Sequence, residues 1–156
     1  MKKGIILAGG SGSRLFPLTF SVTKQLLPVH DKPMIYYPLS TLLELDVTQI
    51  LIITTNQDKL QFQKLLGDGS DLGVKISYAT QDKPNGIAEG LVIADKFING
   101  DSFVFILGDN LFLGSINNHK LKNKLFAKEG ATIFTYMVND PERYGVVEFD
   151  EDCNVV

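Results

Sequence analysis

Ile5-Ile6-Leu7-Ala8 is an unbroken apolar run that gives way at once to Gly9-Gly10-Ser11-Gly12-Ser13-Arg14. A run apolar at every position, rather than at every second one, belongs to a strand covered on both faces. Structure is therefore required above and below the first strand. Glycine lacks a Cβ, so the residues that follow can adopt positive φ and let the backbone approach a ligand closely. Such a loop turns successive N–H groups toward one point, which suits an anion. Arg14 adds a planar guanidinium fork that matches phosphate oxygens. Two readings follow: a phosphate cradle at Gly9, Gly10, Ser11 and Gly12, or a glycine-rich chain reversal. The standard phosphate motifs do not separate them. A P-loop requires Lys-Ser/Thr after its last glycine, where Ser13-Arg14 stand here. A dinucleotide fingerprint starting at Gly10 requires a glycine where Leu15 stands.

The rest of the chain repeats the demand for two-sided cover. Residues 16 to 32 hold Pro17 and Pro28 and no sustained period, which predicts a long loop that brings Lys24 and Gln25 back toward the cradle. Pro33 suits the first turn of a helix, on which Ile35, Leu39, Leu42 and Leu43 share a face and Tyr36 and Tyr37 pack. A second buried strand spans 49–55 and a helix 58–66, stopped by Gly67-Asp68-Gly69. A strand over 74–80 leads into the loop Gln81-Asp82-Lys83-Pro84-Asn85-Gly86. A helix over 87–97 sets Ala88, Leu91, Val92 and Asp95 at helical spacing. A fourth apolar strand, 103–107, ends at Gly108-Asp109-Asn110. A helix at about 117–128 and strands at 131–138 and 145–149 complete the pattern.

Strands alternating with helices predict an α/β fold, a mostly parallel central sheet with helices on both faces, Rossmann-like in kind. At 156 residues one domain is expected. Ligands on such sheets bind beyond the carboxyl ends of the strands. Three segments fall there: Gly9 to Arg14, Gln81 to Gly86, and Asp109-Asn110. The Gln81 amide offers both a donor and an acceptor, which could meet the edge of thymine or uracil or simply face solvent. Asp109 could hold Mg²⁺ or cap a turn. His30 and His119 belong to no metal-ligand constellation.

A net charge of −3 gives no bulk attraction for nucleic acid. The one cysteine, Cys153, cannot form an internal disulfide, which fits a reducing compartment. The apolar run after Lys2-Lys3 is too short for a secretory leader, and no stretch approaches ~20 apolar residues. A cytoplasmic protein without membrane or nucleic-acid partners is expected.

Gly-Gly-x-Gly-x-Arg-Leu-x-Pro-x-Thr at 9–19 is followed by Lys24-Gln25-Leu26-Leu27-Pro28-Val29. With Asp31-Lys32-Pro33-Met34, Gly108-Asp109-Asn110 and Asp140-Pro141-Glu142-Arg143-Tyr144-Gly145, this pattern resembles the sugar-phosphate nucleotidyltransferases, most closely their glucose-1-phosphate thymidylyltransferase branch. The resemblance covers essentially the whole chain. It implies that dTTP and glucose 1-phosphate are joined to give dTDP-glucose and pyrophosphate. It implies catalytic roles for Arg14 and Lys24 on the triphosphate. It puts Gly9, Gly10, Ser11, Gly12, Gln25, Gln81 and Gly86 at the nucleotide, Asn110, Tyr144 and Gly145 at the substrate, and Asp109 on Mg²⁺. Members of this family continue past the equivalent of Val156 into an acid–lysine segment for the sugar phosphate and a second metal-binding aspartate. The expectation is thus an N-terminal portion that is poorly active alone, from an enzyme that is a homo-oligomer when complete. Uridylyl or cytidylyl transfer on the same scaffold, and a nucleotide-binding module without turnover, are the alternative readings.

Overall fold

A computed structural model describes residues 2–10, 12–83, 86–112, 130–151 and 154–155. The chain divides into two compact units, Met1–Phe126 and Ala127–Val156. In the first, strands β1 (Lys3–Leu7), β4 (Gln49–Thr54), β5 (Lys75–Thr80) and β6 (Phe103–Leu107) form one sheet in the order β5-β4-β1-β6. Every pairing in it is parallel. The register sets Leu7 beside Ile53 and Leu107, so the strands finish level with one another.

The two faces divide the apolar runs between them, as alternate side chains must. Ile6, Ile50, Ile52 and Ile106 face helices α1 (Tyr36–Glu44) and α2 (Lys59–Leu66), whose Leu39, Leu42, Phe62 and Leu66 close that core. Ile5, Leu7, Leu51 and Ile53 face the opposite way, onto Ala94 and Phe97 of helix α3 (Ile87–Ile98). The doubly covered sheet expected from Ile5–Ala8 is therefore present. Gly4 is required on the first face, where a Cβ would stand 2.8 Å from Leu42 Cδ1 and 2.9 Å from Val47 Cγ1.

Several expectations are corrected. Helix α3 buries Gly90 and Ala94, not the face of Leu91 and Val92; Val92 is 74% exposed. Small residues let the helix lie close: a Cβ on Gly90 would be 3.3 Å from Leu7 Cδ1. A search by side-chain size selects the wrong face for that reason. Pro33 does not open a helix but pairs with Pro28 in a short hairpin of β2 (Pro28–Val29) and β3 (Lys32–Pro33). The amides of Met34 and Ile35 are claimed by the Leu27 and Gln25 carbonyls, which delays α1 to Tyr36. Exposed His30 takes positive φ at the hairpin turn. The loop at 16–32 is not featureless, since 3-10 turns at Ser13–Leu15, Leu18–Phe20 and Lys24–Leu26 punctuate it and the stretch before it.

Residues 131–138 carry a strand-like apolar pattern yet form no strand, because among the described residues they have no neighbour in a hydrogen-bonded ladder. A 3-10 turn at Pro141–Arg143 ends at Tyr144. In place of a strand over 145–149 there is one antiparallel bridge, Phe149 with Val155, clasped by Asp150 and Asn154. The helix expected at 117–128 lies outside the described residues, as do Ser11, Pro84, Asn85, His119 and Cys153.

Candidate functional site

The backbone ladders run one residue past the strand ends and so fix the site. Ala8 N donates to Ile53 O at 2.7 Å, Gly108 N to Leu7 O at 2.8 Å, and Gln81 N to Thr54 O at 2.8 Å. The buried Thr54 hydroxyl donates to Ala8 O at 3.0 Å. Gln81 itself and the residues after the other two, Gly9 and Asp109, are thereby delivered to one edge of the sheet.

Gly10 and Gly12 take φ of 118° and 57°, values a side chain disfavours. At Gly12 there is also no room: a Cβ would be 2.8 Å from Thr19 Cγ2. The Thr19 hydroxyl donates to Gly12 O at 2.9 Å and pins the loop. Gly9 is not in the positive-φ region; a Cβ there would meet Gln81 Oε1 at 3.5 Å.

Two clefts share Gly9, Gly10 and Asp109. The first, of about 240 Å³, is lined also by Gly12, Arg14, Lys24 and Gln25. Exposed Arg14 sits in the 3-10 turn after the glycines. Lys24 Nζ lies 2.7 Å from Asp109 Oδ2, with the two side chains 31% and 36% exposed. Gln25 is 3% exposed and its amide is engaged internally. Its oxygen accepts from the Thr23 hydroxyl at 3.0 Å and its nitrogen donates to Gly9 O at 3.3 Å. Gln25 therefore shapes the glycine loop from beneath.

The second cleft, of about 200 Å³, has an apolar lining of Leu7, Leu107 and Ile87, with Gln81 and Gly86 beside it. Gln81 is 4% exposed. Its Nε2 donates to Gly86 O at 3.4 Å and, closely, to the Glu89 carboxylate. Gly86, at φ 102°, precedes α3. A flat ring fits between apolar walls, and an amide at its rim can read the ring's edge. The neighbouring cleft is basic at Arg14 and rich in glycine backbone, as an anion requires. A further cleft of about 470 Å³, beyond Gly10, is lined by Thr19 to Thr23, Thr55 to Asp58 and Asp82; it holds two acids and no base.

The structure thus brings together Gly9, Gly10, Gly12, Arg14, Lys24, Gln25, Gln81, Gly86 and Asp109. Ser11 lies outside the described residues. Exposed Asn110 closes the turn after β6 through its N–H to Leu107 O at 3.1 Å. Tyr144 and Gly145 belong to the second unit, where the Tyr144 N–H bonds Pro141 O at 3.0 Å. Sequence reasoning missed Thr19, Thr23 and Glu89. Thr19 closes the 9–19 pattern but was given no role of its own, and the one local signal of Glu89 was an acid in the first turn of a helix, which reads equally as a dipole partner.

Relatives of known type share this sequence and fold. The chain is 54% identical over 154 residues to a glucose-1-phosphate thymidylyltransferase of Neisseria gonorrhoeae, covering 99% of this chain and 54% of that protein. It is 54% identical over 147 residues to the enzyme of that name from Mycobacterium tuberculosis, covering 94% and 51%. It superposes with a TM-score of 0.89 and 42% identity on a provisionally assigned glucose-1-phosphate thymidylyltransferase from Bacillus anthracis, crystallised with sucrose, covering 97% of this chain and 61% of that one. A UDP-glucose pyrophosphorylase in complex with UDP-glucose shares the fold, with a TM-score of 0.64 at 23% identity over 80% of this chain and 53% of that one. The chain spans about half the length of the curated relatives it matches. Residues 3–156 match the nucleotidyl transferase family, and the chain belongs to that family.

Proposed function

We propose that this chain forms the nucleotide-handling part of a glucose-1-phosphate thymidylyltransferase, in which dTTP and glucose 1-phosphate give dTDP-glucose and pyrophosphate. The observation that carries the reading is the junction of two clefts on Gly9, Gly10 and Asp109. One has cations and glycine backbone for a polyphosphate; the other has apolar walls and a rim amide for a base. A nucleoside triphosphate has the same division of chemistry along its length.

In this reading an oxygen of the sugar 1-phosphate attacks the α-phosphorus of dTTP, a new P–O bond forms, and the bond to the β-phosphate oxygen breaks. The electron pair leaves with pyrophosphate. No covalent enzyme intermediate is needed, so catalysis consists of positioning and charge stabilisation. Arg14 and Lys24 neutralise the charge that grows on the leaving group. Thr19 and Gln25 hold the glycine loop in shape before the ligand arrives.

Asp109 fits a Mg²⁺ ion, which needs one or two carboxylates and takes its other ligands from phosphates and water. Among the described residues no cluster of three or more His, Cys, Asp or Glu offers a dedicated cage. Mg²⁺ held there would supply a positive charge to the phosphate oxygens. Among the described residues no helix is long and apolar enough to cross a membrane.

The test is calorimetric titration of dTTP, UTP, CTP and ATP with Mg²⁺, followed by a coupled pyrophosphate assay with glucose 1-phosphate. The reading expects dTTP to bind best and pyrophosphate to appear only with both substrates. Preference for UTP or CTP would move the assignment to another pyrimidine nucleotide. Binding with little pyrophosphate release is expected of a nucleotide-handling portion by itself, and failure to bind any of the four nucleotides would overturn the reading.

A further inference from the structure

We infer that Glu89 is a positioning residue that sets base specificity by fixing which end of the Gln81 amide faces the cleft. A primary amide is chemically two-faced: turned by 180° about its last bond, it exchanges a donor for an acceptor at nearly the same place. Gln81 has both acceptors of its NH₂ group on one side. They are the Gly86 carbonyl, at 3.4 Å, and the Glu89 carboxylate, in closer contact. Reversing the amide would set its oxygen against a carbonyl and an anion. A hydrogen bond to a carboxylate is also the stronger kind, so Glu89 dominates the preference.

The other end of the amide is consequently the acceptor Oε1. It lies 3.5 Å from the point where a Gly9 Cβ would stand, and Gly9 and Gln81 both line the cleft. Among the described residues no buried side-chain oxygen or nitrogen lacks a partner. Among the described residues Oε1 has no protein donor, and Gln81 lines the cleft although the residue as a whole is 4% exposed. The cleft therefore presents a fixed acceptor. It takes a pyrimidine whose edge offers a ring N–H, as thymine and uracil do. Cytosine offers a lone pair at that ring position, and two acceptors would face one another. A site built around one hydrogen bond rejects the ligand that cannot complete it, because a buried polar group is left unpaired.

Glu89 is placed to do this by the start of α3. Gly86, at φ 102°, turns the chain so that its carbonyl faces back toward Gln81. The first helical turn carries Glu89 to the same point, partly buried.

This inference rests on the nucleotide-binding reading, and the experiment separates the two. dTTP and dCTP are titrated into the chain and into Glu89→Leu and Glu89→Gln variants, with thermal melts as a folding control. Wild type is expected to favour dTTP by at least about tenfold. In Glu89→Leu that ratio should fall about tenfold, chiefly through a gain in dCTP affinity, which mere structural damage would not produce. Glu89→Gln keeps an acceptor at this position and should stay within about threefold of the wild-type ratio. An unchanged ratio in Glu89→Leu, or an equal loss of both nucleotides in a folded variant, overturns the proposal. A second readout needs no variant at position 89. The Gln81 side-chain NH₂ signals, identified by their loss in Gln81→Ala, should exchange with solvent far more slowly than those of exposed Gln57. Equally fast exchange overturns the proposal. If wild type binds neither nucleotide, the nucleotide reading fails, and the exchange measurement still decides the orientation of the amide.

Discussion

Lys24 Nζ stands 2.7 Å from Asp109 Oδ2, joining the returning loop to the end of β6 across 85 residues of sequence. The cation expected to meet phosphate and the carboxylate expected to meet metal thus neutralise one another. Both side chains are about one-third exposed, so the pair is screened and contributes roughly 0–1 kcal/mol. It holds the cleft in order yet opens at small cost when a polyphosphate supplies a stronger partner for Lys24.

Asp109→Asn tests this pair from the carboxylate side. Stability should fall by no more than about 1 kcal/mol, because the lost ion pair is partly solvated. The Mg²⁺ concentration that half-saturates dTTP binding should rise by at least about tenfold, a loss that even an outer partner of a metal ligand brings. Melts and dTTP titrations at several Mg²⁺ concentrations measure both. An unchanged metal dependence would leave Asp109 as the partner of Lys24 alone.

Arg14→Ala should leave the fold intact, since Arg14 is exposed in a short turn and surface changes usually stay within about 0.5 kcal/mol. dTTP binding should weaken by about tenfold or more, because hydrogen bonds to charged groups contribute roughly 1.5–3 kcal/mol. Thymidine without phosphates should bind the variant and the wild type equally. A variant that loses thymidine as well would place Arg14 in loop structure rather than on phosphate.

Gly108→Ala is predicted to damage stability and site together. The new Cβ would stand 3.0 Å from Gln25 Cγ and 3.1 Å from both Ala8 Cα and Cβ. Backbone cannot yield as a side-chain tip can, so an overpacking cost of about 1–3 kcal/mol is expected. Gln25 would be pushed from its bond to Gly9 O, and dTTP affinity should drop with it. Chemical denaturation beside a dTTP titration checks the coupling; lost stability with normal binding would show that Gln25 does not shape the glycine loop.

Tyr78→Phe removes a hydroxyl that donates to Gly67 O at 2.7 Å and tethers the end of α2 to β5. A loss of about 1 kcal/mol is expected at neutral pH, without effect on dTTP. Burial, helped by the negative charge of Asp68, pushes the Tyr78 hydroxyl up to about 12. A raised value means that the folded state favours the protonated phenol. Its contribution is complete below pH ~10, where the unfolded chain titrates, and is lost as pH rises toward 12. The stability gap between wild type and Tyr78→Phe should therefore narrow over that window in denaturant melts. A constant gap would mean that Tyr78 ionises as it does in the unfolded chain.

The sequence by itself determined the sheet, its direction and the edge where ligands gather. Ile5–Ala8, Ile50–Ile53 and Phe103–Leu107 are apolar at consecutive positions, and burial on two faces is the one arrangement that hides all of them. Gly9 directly follows such a run, Asp109 follows one after a single glycine, and Gln81 follows the strand at 74–80, so their place at the strand ends was legible too. Tertiary structure alone decided which contacts those residues make. Helix α3 turned Gly90 and Ala94 inward because close approach to Leu7 excludes larger residues, and periodicity does not measure distance. Residues 131–138 have a strand's pattern and no strand, because a ladder needs a partner that lies elsewhere in the chain. The pairing of Lys24 with Asp109, the anchoring of Gln25 beneath Gly9 and the orientation of Gln81 by Glu89 depend on side-chain positions within a few tenths of an ångström. Hydrogen bonds and ion pairs act over that range, and separation along the chain carries no record of it.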